Sequence, residues 1–145
     1  MNSAFDWEMT VRLLLAAILG GMIGWEREHV HRPAGLRTNI LVSLGSALFT
    51  ILSFTAFGSQ ADPSRVAAQI VTGIGFLGAG TLVQTREWVK GLTTAAGLWT
   101  VAAIGMACGA GFYWLAVTAT LISLVVLAGL RYLEYLSSKR DQSSE

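Results

Sequence analysis

Five apolar runs, each close to the length that crosses a bilayer, constrain this chain more than any other feature. They cover residues 11–25, 38–57, 66–85, 92–110 and 112–130. A hydrocarbon core about 30 Å thick takes roughly 20 helical residues at 1.5 Å each. Little sequence is left over from which a water-soluble core could form. Of the 145 residues, 53% are hydrophobic and 13% charged, against about 25% charged in ordinary soluble domains. The pattern predicts an all-α integral membrane bundle of five transmembrane helices over residues 1–136, followed by a short polar tail at 137–145. Its first partner is the lipid bilayer; no nucleic acid is expected.

The positive charges orient the bundle. Arg27, Arg32 and Arg37 follow the first run, Arg86 and Lys90 the third, and Arg131, Lys139 and Arg140 the fifth; only Arg12 and Arg65 fall towards the other side. Lys and Arg collect in cytoplasmic connections. The bias predicts an outside N-terminus and a cytoplasmic C-terminus. Asp6 and Glu8 stand where a signal peptide would be basic, so the first run is expected to be retained. Cys108, the only cysteine, lies in an apolar run and reads as a small buried thiol. The string Ala61, Asp62, Pro63, Ser64 reads as an outer turn feeding a helix. Gly109, Ala110 and Gly111 read as a tight hairpin.

Polar residues inside the runs are the candidates for function, because hydrocarbon offers them no partner. At 100° per residue, Arg65, Gln69, Thr72, Gly73, Gly80, Gln84 and Glu87 fall near a single line on the third helix. The second helix carries Asn39, Ser43, Ser46, Thr50 and Ser53, and the fourth Thr93, Gly97 and Thr100. These stripes are expected to face one another or a wet cavity. Ser, Thr and Gly also serve simply as packing residues in membrane bundles. Gln69 and Gln84 are harder to place that way, since a primary amide has two donors and an acceptor to satisfy.

Gly73, Gly75 and Gly78 formally match a dinucleotide fingerprint, but the strand, the βαβ context and the later acidic residue are missing. Close helix approach, or a locally irregular backbone that exposes carbonyls, explains these glycines and Gly80 better. Gly75 with Ala79, Gly20 with Gly24, and Gly105 with Gly109 each form a small-xxx-small pair. At the inner end of the first helix, Glu26 is expected to pair with Arg27, Arg32 or Arg37, while Arg27 and Arg32 suit lipid phosphates. His29 and His31 read as loop residues. No enzyme signature is present, so no catalytic residue and no cofactor is assigned. Any metal ligands stay unknown from the residues alone. A weak internal echo links Gly35, Leu36, Arg37, Thr38 with Gly91, Leu92, Thr93, Thr94. It leaves open a parallel repeat of helices 1–2 and 3–4, or chance.

These strings closely resemble the MgtC/SapB family of bacterial inner-membrane proteins. The matching stretches are Gly24, Trp25, Glu26, Arg27; Arg32 through Asn39; Arg65 to Gln69 with Gly73 through Gly80; and Gly91 to Ala96 with Trp99. The resemblance covers residues 13–130 and implies a bacterial inner-membrane domain linked to magnesium homeostasis and, in some pathogens, to survival inside host cells. Longer members continue into a soluble C-terminal domain. Here residues 131–145 follow the fifth run, so regulation through such a domain is not carried over.

Two functions fit the residues. In the first, a polar passage or intramembrane network of Asn39, Arg65, Gln69, Thr72, Gly73, Gly75, Gly78, Gly80, Gln84 and Thr94 carries an ion, Mg²⁺ foremost, in a homo-oligomer. Glu26, Arg27, Arg32, Arg37 and Thr38 form its cytoplasmic mouth. In the second, the same basic group contacts another membrane protein or an anionic lipid, and nothing is transported.

Overall fold

The computed structural model describes residues 3–56, 62 and 64–129. Helix α1 runs Ser3–His29, α2 Leu36–Thr55, α3 Ser64–Ala79, α4 Leu92–Gly109 and α5 Tyr113–Leu124. A π-helical turn over Val125–Gly129 extends α5. Between α3 and α4, β1 (Val83–Gln84) and β2 (Val89–Lys90) form an antiparallel hairpin in which Val83 faces Lys90. The expected five helices are present. Among the described residues, three are long and apolar enough to cross a membrane, Asp6–His29, Leu36–Thr55 and Leu92–Gly109, with a shorter apolar helix over Tyr113–Gly129. The polar tail lies outside the described residues.

The third element departs from expectation. The apolar run 66–85 is not one helix: α3 ends at Ala79, and Thr81 and Leu82 turn back to bond the Gly78 and Ala79 carbonyls at 3.0 Å each. Gln84 therefore sits on a short strand, exposed, and not on the α3 line where its spacing had placed it. Gly80 belongs to the turn. His29 is likewise the last residue of α1 and not a loop residue, its Nδ1 lying 2.9 Å from the Trp25 carbonyl. His31, at φ 53°, closes α1 in the left-handed conformation, so that the Arg32 N–H reaches the Arg27 carbonyl at 3.1 Å.

Helix α4 lies at the centre, against α1, α2, α3 and α5, while α1 and α2 form the closest pair. One cluster joins Ala16, Leu19 and Ile23 of α1, Ala47 of α2, Val101, Ile104 and Cys108 of α4 and Ala116 of α5. A smaller one joins Ile74 of α3 to Leu98 and Ala102 of α4, with Ala34. In lipid, helices gain little from leaving an apolar solvent, so close van der Waals contact must hold them together. Small residues provide it. A Cβ on Gly20 would come within 2.6 Å of the Ser43 Cβ, and one on Gly24 within 2.8 Å of the Leu36 Cα. On α4, a Cβ on Gly109 would fall 2.5 Å from the Ala47 carbonyl oxygen, and one on Gly105 still closer to that of Ser43. Two of the three small-xxx-small pairs thus join helices of one chain. The third does not: around Gly75 a Cβ would meet nothing within 4 Å.

Both α2 and α4 start immediately after a glycine, Gly35 and Gly91, with Leu36 and Leu92 as first residues. Gly91 adopts φ 97° beneath the Thr81 carbonyl, a position only glycine fills without strain. At the opposite end of the bundle, Gly111 at φ 85° makes the expected tight turn from α4 into α5.

Candidate functional site

The connection from α1 to α2 is built from side chains. The Leu36 N–H, at the unpaired start of α2, donates to Glu28 Oε2 at 2.7 Å, supplying one of the acceptors a helix N-terminus lacks. Asn39, one turn into α2 and 1% exposed, turns its amide back. Its Nδ2 donates to the carbonyls of Ala34 at 2.9 Å and Gly35 at 2.8 Å. Gly35 leaves room for the Glu28 carboxylate: a Cβ there would fall 2.8 Å from Glu28 Oε2 and displace it. One residue before that carboxylate, Arg27 Nε donates to Glu26 Oε2 at 2.5 Å, with side chains only 6% and 12% exposed.

Arg27 is thus the expected partner of Glu26, but it does not grip lipid phosphate: it is buried. The guanidinium groups turned outward belong to Arg32 and Arg37, both exposed and, among the described residues, without an ion pair. A loop fixed by four side-chain or backbone clasps therefore presents two free cations.

The second feature is a groove of about 630 Å³ between α2 and α3. Arg37 and Thr38 stand at one end, Ser46, Phe49 and Gln69 at the other, with Leu41, Gly73 and Leu77 between. Its walls are largely apolar, and among the described residues Arg37 is its only charge. Ser46 is 5% exposed and lines this groove without a hydrogen bond from its hydroxyl among the described residues; Gln69 likewise has no side-chain partner.

Among the described residues, the polar stripes of α2 and α3 approach one another along this groove, at Ser46, Gln69 and Gly73. Asn39, Ser43, Ser46, Thr50 and Ser53 are buried within the bundle. Arg65, Gln69, Thr72 and Gly73 are exposed along α3, and only Ile74 and Gly78 are buried there. Gly78 packs 3.5 Å from Ala95 when given a Cβ, and Thr94 is buried on α4. Gly75 faces open space. The ten residues expected to share one network are divided among a bundle interior, an outer helix face, a turn and a hairpin. No group of three His, Cys, Asp or Glu able to hold a metal occurs among the described residues.

At the far end, Arg12 was not among the expected site residues, although the Glu8 to Arg12 spacing of four is a recognisable helix pair. Arg12 Nη1 donates to the Gly109 carbonyl at 2.7 Å, satisfying the last turn of α4. Glu8 holds the same guanidinium. Glu28 was missed for a different reason: its acceptor role appears only once the chain doubles back.

A multi-helix bundle with lipid-exposed Leu, Ile, Phe and Trp on its outside and small residues at its crossings is a multi-pass membrane protein. The chain belongs to the MgtC family, which it matches over residues 13–136, and this places it in the bacterial inner membrane. It is 47% identical over 127 residues to the Escherichia coli (strain K12) protein named putative magnesium transporter YhiD, covering 83% of this chain and 59% of that one. It is 53% identical over 116 residues to protein MgtC of Brucella abortus (strain 2308), covering 80% and 48%. Protein MgtC of Salmonella typhimurium (strain 14028s / SGSC 2262) is 51% identical over 114 residues, covering 79% and 48%. The chain thus spans about half the length of these relatives. No solved structure matches it.

Proposed function

We propose that this protein serves magnesium homeostasis as a non-transporting module, whose basic loop between α1 and α2 contacts another membrane protein. The magnesium link comes from the name of the Escherichia coli relative. The mode of action rests on one observation: Glu28 and Asn39 fix the loop while Arg32 and Arg37 stay unpaired. Ordering a loop costs conformational entropy, and a preorganised pair of guanidinium groups recovers it when an acidic partner docks. In this reading the loop is cytoplasmic, the N-terminus outside and the C-terminus inside, following the arginine bias. The matched starts Gly35, Leu36 and Gly91, Leu92 support a parallel repeat of α1–α2 and α3–α4.

Ion transport along α2–α4 draws on a separate observation. A cavity of about 520 Å³ near the opposite end has Thr50, Ser53 and Ser64 in its wall and Asp62 at its rim. A cation leaving through the α2–α3 groove would then meet Arg37, a like charge against largely apolar walls, which disfavours it.

Two measurements separate the readings. Proteoliposomes are expected to take up no more Mg²⁺ than protein-free vesicles. Cells lacking the gene are expected to regain growth at low magnesium with the wild-type chain but not with Arg32→Glu/Arg37→Glu, at equal membrane abundance. Mg²⁺ uptake that Gln69→Leu or Asp62→Asn reduces would replace the binding reading with transport. A photo-crosslinker at position 32 that captures only anionic lipid would replace the protein partner.

A further inference from the structure

Helix α3 carries an interaction seam that this chain does not use on itself. Gln69, Thr72, Phe76 and Ala79 follow the alternating spacing of three and four by which one helix meets another. All four are exposed, Phe76 to 82%. Arg65 opens the same line in the first turn, beside Asp62, whose opposite charge it feels. The back of the helix is the part that holds it to the bundle, through Ile74 and Gly78.

Lipid is the wrong neighbour for that seam. Gln69 lies about 8 Å inside the start of α3 and has no hydrogen-bond partner among the described residues. An unpaired amide in hydrocarbon costs several kcal/mol. Thr72 avoids the problem by donating to the Ala68 carbonyl at 3.0 Å; Gln69 has no such route. The helix is also short, 16 residues or about 24 Å against a core of roughly 30 Å, and association is one response to such mismatch. Gly73 and Gly75 flank the seam on either side, and a Cβ on either would meet nothing within 4 Å. A second helix can therefore approach the bare backbone closely.

We infer that the partner is a second copy of this chain, packed α3 against α3 about a two-fold axis along the membrane normal. Copies inserted the same way run parallel, so each seam residue meets its own counterpart at one depth. That is the arrangement a primary amide suits, because Gln69 both donates and accepts and two copies satisfy each other reciprocally. A polar residue at one seam position also fixes register and the number of strands. The inference is independent of the basic loop.

Disulfide trapping in native membranes tests it, using the full chain with the buried Cys108 replaced by Ala. Thr72→Cys and Phe76→Cys are expected to give a crosslinked dimer on oxidation. Trp99→Cys, exposed on α4, is expected to stay monomeric. Adding Gln69→Leu to Thr72→Cys is expected to lower the dimer yield about 3- to 30-fold, the range for losing one interhelical hydrogen bond in a membrane. Each variant's far-ultraviolet circular dichroism spectrum is compared with wild type, so that only folded protein is scored. Equal trapping at positions 72 and 99, no trapping at 72 or 76, or trapping only to a different protein would each overturn the inference. So would a monomer that retains a phospholipid in native mass spectrometry and loses it with Gln69→Leu.

Discussion

Gly105 sits directly against the main chain of Ser43. A methyl group on Gly105 would overlap the Ser43 carbonyl oxygen and come within 2.9 Å of its Cα. The contact locks α4 to α2 at the centre of the bundle, where nothing can shift except the helices themselves. Gly105→Ala is therefore expected to destabilise the fold by about 1–3 kcal/mol, the usual cost of overpacking. Gly97→Ala on the same helix, where a Cβ meets nothing within 4 Å, is expected to be neutral or to gain up to about 1 kcal/mol from helix propensity. Unfolding titrations in mixed detergent, followed by Trp fluorescence, give both values.

Ser43 itself is fully buried, and its hydroxyl has no hydrogen-bond partner among the described residues. Its role at the crossing is its small size, not its polarity. Ser43→Ala removes an unsatisfied group and is expected to raise stability by about 1 kcal/mol. Ser43→Val adds bulk against Gly20 and Gly105 and is expected to lower the yield of folded protein in the membrane. A large loss of stability in Ser43→Ala would show that the hydroxyl is bonded after all.

The Glu26–Arg27 pair is largely shielded, with the Arg27 side chain 6% and the Glu26 side chain 12% exposed, so removing Glu26 leaves the buried Arg27 guanidinium in a poor solvent without this counter-charge. Glu26→Gln is expected to cost about 3–5 kcal/mol. Glu26→Gln/Arg27→Met, which removes both charges, is expected to recover much of that loss. A double-mutant cycle measures the coupling; additive losses would mean the pair contributes nothing beyond its separate contacts.

Hydropathy made the bundle legible, because it records which segments water rejects. It recorded less well what each face meets. Gly20, Gly24, Gly105 and Gly109 gave the same signal as Gly73 and Gly75, yet the first four are pressed against neighbouring backbone and the last two face open space. The third run misled for a related reason. Thr81 to Thr85 are apolar enough to extend a helix on paper, but Arg86 and Glu87 occupy the tip of a hairpin closed by the Thr85 N–H donating to the Trp88 carbonyl at 2.9 Å. The spacing sets Glu87 on the α3 line and Arg86 in the connection after it, but it does not show the turn the two make together. Asn39 was legible as a buried polar residue, whereas its two acceptors, Ala34 and Gly35, depend on the path of the connection.

His31 offers a test of that connection. It is the one non-glycine with positive φ among the described residues, at 53°, where a Cβ costs about 1–2 kcal/mol in an ordinary residue. His31→Gly is expected to stabilise the α1 terminus by up to about 1 kcal/mol while leaving the Glu28 cap intact. Slower amide exchange at Arg32 and Leu36 would show it. Faster exchange at both would mean that the imidazole, and not the backbone, holds the turn.

Acid reaches the bundle at Asp62, in the connection before α3. Its carboxyl is held below the usual range, first by the Ser64 hydroxyl and next by the Ser64 N–H, with Arg65 adding a favourable charge. The N–H bond measures 2.9 Å, and it caps the first turn of α3. A carboxyl whose folded pKa is depressed stabilises the structure above its ordinary value, about 3.9, and that contribution fades as pH falls through the folded value. Exchange protection at Ser64 and Arg65 is therefore expected to be flat from neutral pH to about 5 and to weaken only in stronger acid. Asp62→Asn keeps an acceptor without a charge, so its protection should not depend on pH across that window. Asp62→Ala should lose protection at every pH. If wild type and Asp62→Asn instead weaken together in acid, the group that titrates is elsewhere, and the α3 cap does not depend on the Asp62 charge.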